Sequence, residues 1–494
     1  MRSLRALSLL TVTALFLLPG LVIGPSEDAA VYVLAGTSLR QGFTPYVQFF
    51  DNKPPGIYAL NALGQLALPW LDPWLVSWVL SLISCAGSIL LIDALLRPRV
   101  GAAWAWVWSV ICCAGVAGYL TALGGGLTES LALLPLTLAV WLAVRERSAV
   151  LAGVVGILLA VACSISLQCV PAGVAVTLSA SYEWRESRRS ARRAATLALA
   201  GLAVAAAVVI WLVAIGAWAS AFDHIVPYNQ AYDAAGSGLL SELPITIIIL
   251  GGLAIPVAVA MARMIRDPSS SDRLSWLCLV WLGGYAAYVA YQNRIFPHYL
   301  IVAFPPVVVL AAQGTRSAVE ALRARASRMR VASAGLSVTV FLILAAFSVD
   351  LGAIAVAKES AMRDSADAAA AWIRSNVTAD GSLFVWGYNP RLYLTTKLAR
   401  NSEYAYMFPL VTPGYGSAER TAALLDEWQA SPPDVIVEVP SSVPLNRPPQ
   451  AAWDQRDLDT LDLLRDFVRS HYHLAASFGG PDQFADVYLS GPDG

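Results

Sequence analysis

The chain has 494 residues, of which 57% are hydrophobic and only 14% charged, with a formal net charge of -1 and a mean hydropathy of +0.60. Soluble domains carry about 25% charged residues, so this sequence cannot face water along its whole length. That excludes a wholly soluble protein, and nothing in the charge balance points to a nucleic-acid partner.

Up to about residue 350 the apolar residues fall into blocks of roughly 17–25, the length that crosses a hydrocarbon core ~30 Å thick. The predicted spans are 4–23, 74–96, 101–118, 127–144, 148–164, 166–180, 194–219, 243–262, 274–291, 298–314 and 331–349. The first follows Arg2 and Arg5 and ends Val22-Ile23-Gly24-Pro25 without a small-x-small cleavage site, so it reads as a retained helix.

Between the first two spans lies an outer loop, Gly24 to Pro73, holding Glu27, Asp28, Asp51, Lys53 and Asp72. Within it Asp28, Tyr32, Ala35 and Leu39 recur at helical spacing, which predicts a helix on the membrane surface with Asp28 and Tyr32 on one face. A second such helix is predicted over Gly56 to Leu68, launched by the stiff Pro54-Pro55 pair. The pair presents Asp51 and Lys53 at a fixed place on the interface.

Further on, Ser148 to Ala180 must supply two short helices, with Pro171 and Gly173 in the second. A re-entrant hairpin there keeps the same topology. All six cysteines lie within spans, and no metal-type spacing occurs. No internal repeat is visible, which speaks against a transporter built from two related halves. With the N-terminus in the cytoplasm, the inside segments hold 19 arginines, whereas the outer loops before residue 350 hold only Arg40, Lys53 and Arg294. That asymmetry sets the orientation, and an odd number of spans puts residues 351–494 outside.

Those residues have ordinary soluble composition and are predicted to form a small α/β domain with a mixed sheet. Helices are predicted over 358–376, with Ala368, Ala371 and Trp372 on one face, and over 421–429 and 458–470. Strands are predicted over 382–387, 434–439 and 484–489. Asp457, Asp459, Asp462 and Asp466 read as a solvated helix face. The chain is thus expected to be mostly α: a polytopic transmembrane bundle of about eleven spans (1–350), with first-loop surface helices and an extracytoplasmic domain (351–494).

The first-loop string Asp28-Ala-Ala-Val-Tyr32, Gly42-Phe-Thr-Pro-Tyr46 and Phe50-Asp-Asn-Lys-Pro-Pro-Gly-Ile-Tyr58 resembles that of the C-type membrane glycosyltransferases. The branch is the one related to protein O-mannosyltransferases and lipid A aminoarabinose transferases. Gly124-Gly-Gly-Leu-Thr-Glu129, Arg294-Ile-Phe-Pro-His-Tyr299 and the exterior Phe384-Val-Trp-Gly-Tyr-Asn-Pro390 with Leu392-Tyr393 are similar to it as well.

The resemblance implies transfer of a sugar from a polyprenyl-phosphate donor to an acceptor hydroxyl on a glycan, lipid or protein at the outer face. An inverting transfer needs a carboxylate for the acceptor proton and cations for the phosphate that departs. Asp28 matches the family's base position by counting back from Tyr32. Members usually show Asp-Glu there, whereas this chain has Glu27-Asp28 followed by Ala29, so Glu27 stays a rival. Asp51 is either a second acid or the partner of Lys53. Lys53 and Arg294 are the cations expected at the donor phosphate, against the plain alternative of interfacial anchoring. Tyr32, Tyr58, Glu129 and His298 are candidates for the acceptor or substrate site. His224 with Asp223 is a weaker one. No ligand cluster decides whether a divalent ion is used. The other readings are a flippase or transporter, or a non-catalytic binder, of lipid-linked sugars. Spans nearly free of ionisable residues favour the enzyme.

Overall fold

The computed structural model describes residues 2–145, 148–182, 188–235, 239–268, 272–325, 352, 364–441, 443, 455–480 and 483–491. The chain opens with α1 (Arg2–Leu17) and α2 (Pro19–Ile23), which meet where Pro19 lacks the N–H that would continue the helix. The first loop then forms α3 (Glu27–Arg40) and α4 (Gly56–Ala67). Ser26 caps α3, its hydroxyl accepting from the Ala29 N–H at 3.3 Å.

The bundle continues through α5 (Pro73–Val100), α6 (Ala102–Ala117), α7 (Tyr119–Ala122), α8 (Thr128–Arg145), α9 (Ala149–Ile165) and α10 (Val170–Tyr182). Among the described residues it goes on with α11 (Arg188–Ala214), α12 (Trp218–Ile225), α13 (Pro227–Ala234), α14 (Leu239–Arg266), α15 (Arg273–Gln292) and α16 (Phe304–Arg325). Among the described residues, seven helical stretches are long and apolar enough to cross a membrane: Ser3–Ile23, Pro73–Val100, Ala102–Ala122, Thr128–Arg145, Ala191–Ala214, Ile249–Arg266 and Arg273–Gln292. Leu199, Leu202 and Ile210 on α11 are exposed, as side chains facing lipid would be. The two short helices predicted over 148–180 form, broken by a 3-10 turn at Leu167–Cys169. The span predicted over 298–314 begins instead as a 3-10 turn, Pro297–Val302, before α16. Pro297, Pro305 and Pro306 remove the donors a continuous α-ladder would need there. The span predicted over 331–349 lies outside the described residues.

Two ends of the bundle differ in chemistry. At the end where α5 finishes, Arg5 and Arg97 pair with buried Asp93, and Arg99 pairs with Asp272. The opposite end carries α3, α4 and the acids of the first loop. There α8 starts after a tight glycine run. Gly124 has φ +84°, and a Cβ on it would lie 2.5 Å from the Gly20 Cα, so no other residue fits.

Among the described residues the C-terminal domain has five strands, β1 (Ser382–Trp386), β2 (Ala399–Arg400), β3 (Val435–Glu438), β4 (Tyr472–Gly480) and β5 (Gln483–Ser490). Their order is β2-β1-β3-β5-β4; β1 runs parallel to β2 and β3, and β5 is antiparallel to β3 and β4. The helices are α17 (364–376), α18 (Arg391–Thr396), α19 (Phe408–Val411), α20 (Ser417–Ala430) and α21 (Gln455–His471). Phe384, Trp386, Trp428, Leu424 and Leu464 fill the core between them.

Two expectations need correction. The buried stripe of α17 is Ala366, Ala369, Ala370 and Ile373; Ala371 is exposed, and Ala368 and Trp372 are half-buried. The stripe that packs is the one carrying Ile373 at the i, i+3, i+4, i+7 positions. Strands β2 and β4 are additional, and β4 is an edge strand whose side chains, Tyr472 apart, are half-exposed or exposed. On α21, Asp462 and Asp466 are exposed and pair with Arg465 and Arg469 one turn on.

Candidate active site

A cavity of about 200 Å3 opens where the first loop, α13, the turn before α16 and the C-terminal domain meet. Three of its lining residues are charged. Asp28 enters from the first turn of α3, one helical turn before Tyr32, which also lines the cavity. Asp51 and Lys53 enter from the segment that links the loop's two helices.

That segment is held rigidly. The Lys53 carbonyl oxygen lies 2.7 Å from the Tyr46 hydroxyl and 3.0 Å from that of Tyr58. Tyr58 also lies 2.8 Å from Asp51 Oδ2, and its single proton goes to one acceptor or the other. Asp51 Oδ1 accepts from the Asn52 N–H at 2.8 Å and from the Tyr406 hydroxyl at 3.3 Å. Asn52 is tied to Asn229 on α13 at 2.7 Å.

The electrostatics follow from this burial. Asp51 is 3% exposed; burial pushes its pKa up, against the pull of Lys53 and the hydrogen bonds from Tyr58 and the Asn52 N–H. For Lys53 burial works downward, but Asp51, Asp28 and Glu129 outweigh it and the pKa is raised, so the ammonium stays charged. Among the described residues its side chain makes no hydrogen bond or ion pair. A half-buried cation left without a partner is ready for an anion.

Aromatic rings form the rest. Tyr388 stacks on Phe408 (4.8 Å, 21°) and meets Tyr406 edge-on (5.1 Å, 89°). Phe296 stacks on His298 (5.6 Å, 5°), and Tyr228 on Tyr232 (5.7 Å, 19°). Such flat apolar faces beside charged groups suit a ligand that is part hydroxyl-rich ring and part phosphate.

Of the residues singled out in the sequence, the structure brings Asp28, Tyr32, Asp51, Lys53 and His298 to the cavity lining. Tyr58 stands behind Asp51. Glu27 is half-buried beside Asp28 but does not line the cavity. Glu129 is buried, its Oε1 accepting from Thr128 at 2.8 Å and Ser166 at 3.0 Å. Arg294 lies behind the wall: it donates to the Tyr232 carbonyl at 2.7 Å and stacks over that ring at 3.9 Å. His224 packs on Phe50 at 4.1 Å, and burial lowers its pKa to about 4, so it is neutral. Its neighbour Asp223 pairs with Arg420 at 2.7 Å.

The wall residues Asn52, Tyr228, Tyr232, Phe296, Tyr406 and Phe408 carry no signal in the sequence that marks them for the cavity. Tyr388 carried a signal, since it lies in the Phe384–Pro390 string, but nothing local aimed it at Asp28. Among the described residues no three His, Cys, Asp or Glu side chains group closely enough to hold a metal ion.

No protein-family model and no curated protein matches the sequence. Among solved structures the chain is similar to ArnT from Cupriavidus metallidurans bound to undecaprenyl phosphate, at 14% identity and TM-score 0.62, with 99% of each chain covered. The apo form of that protein gives 13% identity and TM-score 0.57 over 95% of each chain. The apo oligosaccharyltransferase of Archaeoglobus fulgidus gives 13% and 0.54, over 87% of this chain and 69% of that one. These likenesses establish the fold, which this chain shares with ArnT and with the archaeal oligosaccharyltransferase.

Proposed function

We propose that the chain is a membrane glycosyltransferase that moves a sugar from a polyprenyl-phosphate donor to an acceptor hydroxyl, with inversion. The observation that carries this reading is the cavity itself. It sets two carboxylates and one unpaired, charged lysine among stacked aromatic rings. The shared fold supports it, because ArnT in that fold was crystallised with undecaprenyl phosphate.

In this reading Lys53 faces the carrier phosphate and Asp28 faces the acceptor. Asp28 takes the proton of the acceptor hydroxyl as its oxygen bonds to the anomeric carbon. The bond from that carbon to the phosphate oxygen breaks, and its electron pair leaves with the polyprenyl phosphate, whose charge Lys53 offsets. Attack from the face opposite the phosphate inverts the anomeric centre. Asp51, held by Tyr58 and Tyr406, sets the position of Lys53, and Arg294 supports the phosphate side through the Tyr232 wall. Tyr32, Tyr58, Glu129 and His298 shape the substrate site, and Glu27 is the rival base.

The membrane arrangement belongs to the same proposal. Residues 1–350 form a transmembrane module of about eleven spans with the N-terminus in the cytoplasm, and residues 351–494 lie outside. The arginines at the far end of α5 support this orientation.

The test is incubation of the purified protein with a panel of polyprenyl-phosphate sugars, following release of polyprenyl phosphate. Release from at least one donor is expected. No release from any donor, with a mixed pool of acceptor glycans, lipids and peptides present, contradicts the reading.

A further inference from the structure

We propose that the C-terminal domain completes the catalytic site, and that Tyr388 is a positioning residue which holds Asp28 for proton abstraction. This rests on the glycosyl-transfer reading and adds a residue to it from the other end of the chain.

Each cavity carboxylate takes a hydrogen bond from a phenol of this domain. The Tyr388 hydroxyl donates to Asp28 Oδ1, and the Tyr406 hydroxyl donates to Asp51 Oδ1. Burial and the adjacent carboxylates push both phenols well up, so each keeps its proton and acts as a donor. Among the described residues Asp28 Oδ2 has no hydrogen-bond partner. Fixing one oxygen of a carboxylate fixes the direction of the other. The acceptor proton then goes to Oδ2, while Tyr388 keeps its own proton throughout.

The placement of Tyr388 is built in at several levels. It follows β1, whose Trp386 carbonyl accepts from the Val439 N–H at 2.9 Å. Gly387 between them has φ +119°, and a Cβ there would lie 2.4 Å from Val439 Cγ2. Only glycine permits that exit from the strand. The ring is then gripped between Phe408 and Tyr406. The domain is itself fastened to the first loop. The Phe50 N–H donates to the Glu403 carbonyl at 2.9 Å, and Arg400 donates to the Gln48 carbonyl at 3.1 Å and stacks on Phe49 at 4.5 Å.

Tyr388→Phe in the full chain tests this, because phenylalanine keeps the stacked ring and loses only the hydroxyl. A hydrogen bond to a charged group supports a loss of roughly 10-fold or more. That loss is expected in kcat, with KM for the lipid-linked donor within about twofold of wild type, since donor binding does not use Asp28. In an Asp28→Asn background, Tyr388→Phe should cause no further loss, because the group it acts through is gone. A wild-type kcat in Tyr388→Phe overturns the inference, and so do losses that multiply in the double variant. In either case an inactive Asp28→Asn leaves the transferase reading standing. Full turnover in Asp28→Asn overturns the base assignment and this inference with it.

Discussion

Replacing Lys53 by alanine should weaken binding of the carrier phosphate even with no sugar attached. The structure sets the size of the effect. The ammonium is half-buried, makes no hydrogen bond or ion pair among the described residues, and stands in a cavity beside Asp28 and Asp51. A charge-assisted bond to phosphate contributes about 1.5–3 kcal/mol, or about a 10- to 150-fold change in affinity. The upper half of that range is expected, because without the lysine a phosphate would face two carboxylates with no cation between them. Lys53→Arg should recover part of the loss. Arg294→Ala should cost less, since that guanidinium already bonds the Tyr232 carbonyl and stands behind the wall. The assay is titration of the detergent-purified protein with undecaprenyl phosphate, read by tryptophan fluorescence or native mass spectrometry. Unchanged affinity in a folded Lys53→Ala protein would refute the assignment.

Asp28→Asn should lower turnover by ~10²–10⁴-fold, the usual worth of a positioned base, with donor affinity nearly intact; Glu27→Gln should be mild. The reverse pattern would move the base to Glu27. Burial raises the Asp51 pKa in the folded protein, so folding disfavours its ionised form. That cost is absent below the unfolded value of about 3.9 and grows as pH rises through the folded value. The thermal midpoint of Asp51→Asn should therefore gain on wild type as pH rises above about 3.9, and a pH-independent difference would contradict the burial argument. Reporter fusions active only outside the cytoplasm should light up in the C-terminal domain and stay dark at Arg188; the opposite result overturns the orientation.

What the sequence made legible was local and periodic. Helical spacing from Asp28 to Leu39 announced α3, the Pro54-Pro55 pair announced α4, and three short apolar runs announced β1, β3 and β5. Asp28, Asp51 and Lys53 stood out because acids and a lysine are rare in so apolar a chain. The remainder of the cavity had no such trace. Tyr388 reaches Asp28 across 360 positions of sequence, and Tyr228, Tyr232 and Phe296 look like ordinary interfacial aromatics until the fold gathers them. Strand β4 escaped because an edge strand needs no clean alternation, and all its residues but Tyr472 are half-exposed or exposed. The buried stripe of α17 was misplaced because several alanines there fit more than one face, and only packing against the sheet selects the one with Ile373.

A transferase cavity must break the bond between sugar and carrier. That cleavage is tested most directly in proteoliposomes loaded with a polyprenyl-phosphate sugar that carries its label on the sugar. Label should enter the acceptor in step with release of polyprenyl phosphate, in wild type and not in Asp28→Asn. Recovery of the lipid-linked sugar intact, merely bound or moved to the other leaflet, would contradict it and identify a binder or carrier instead.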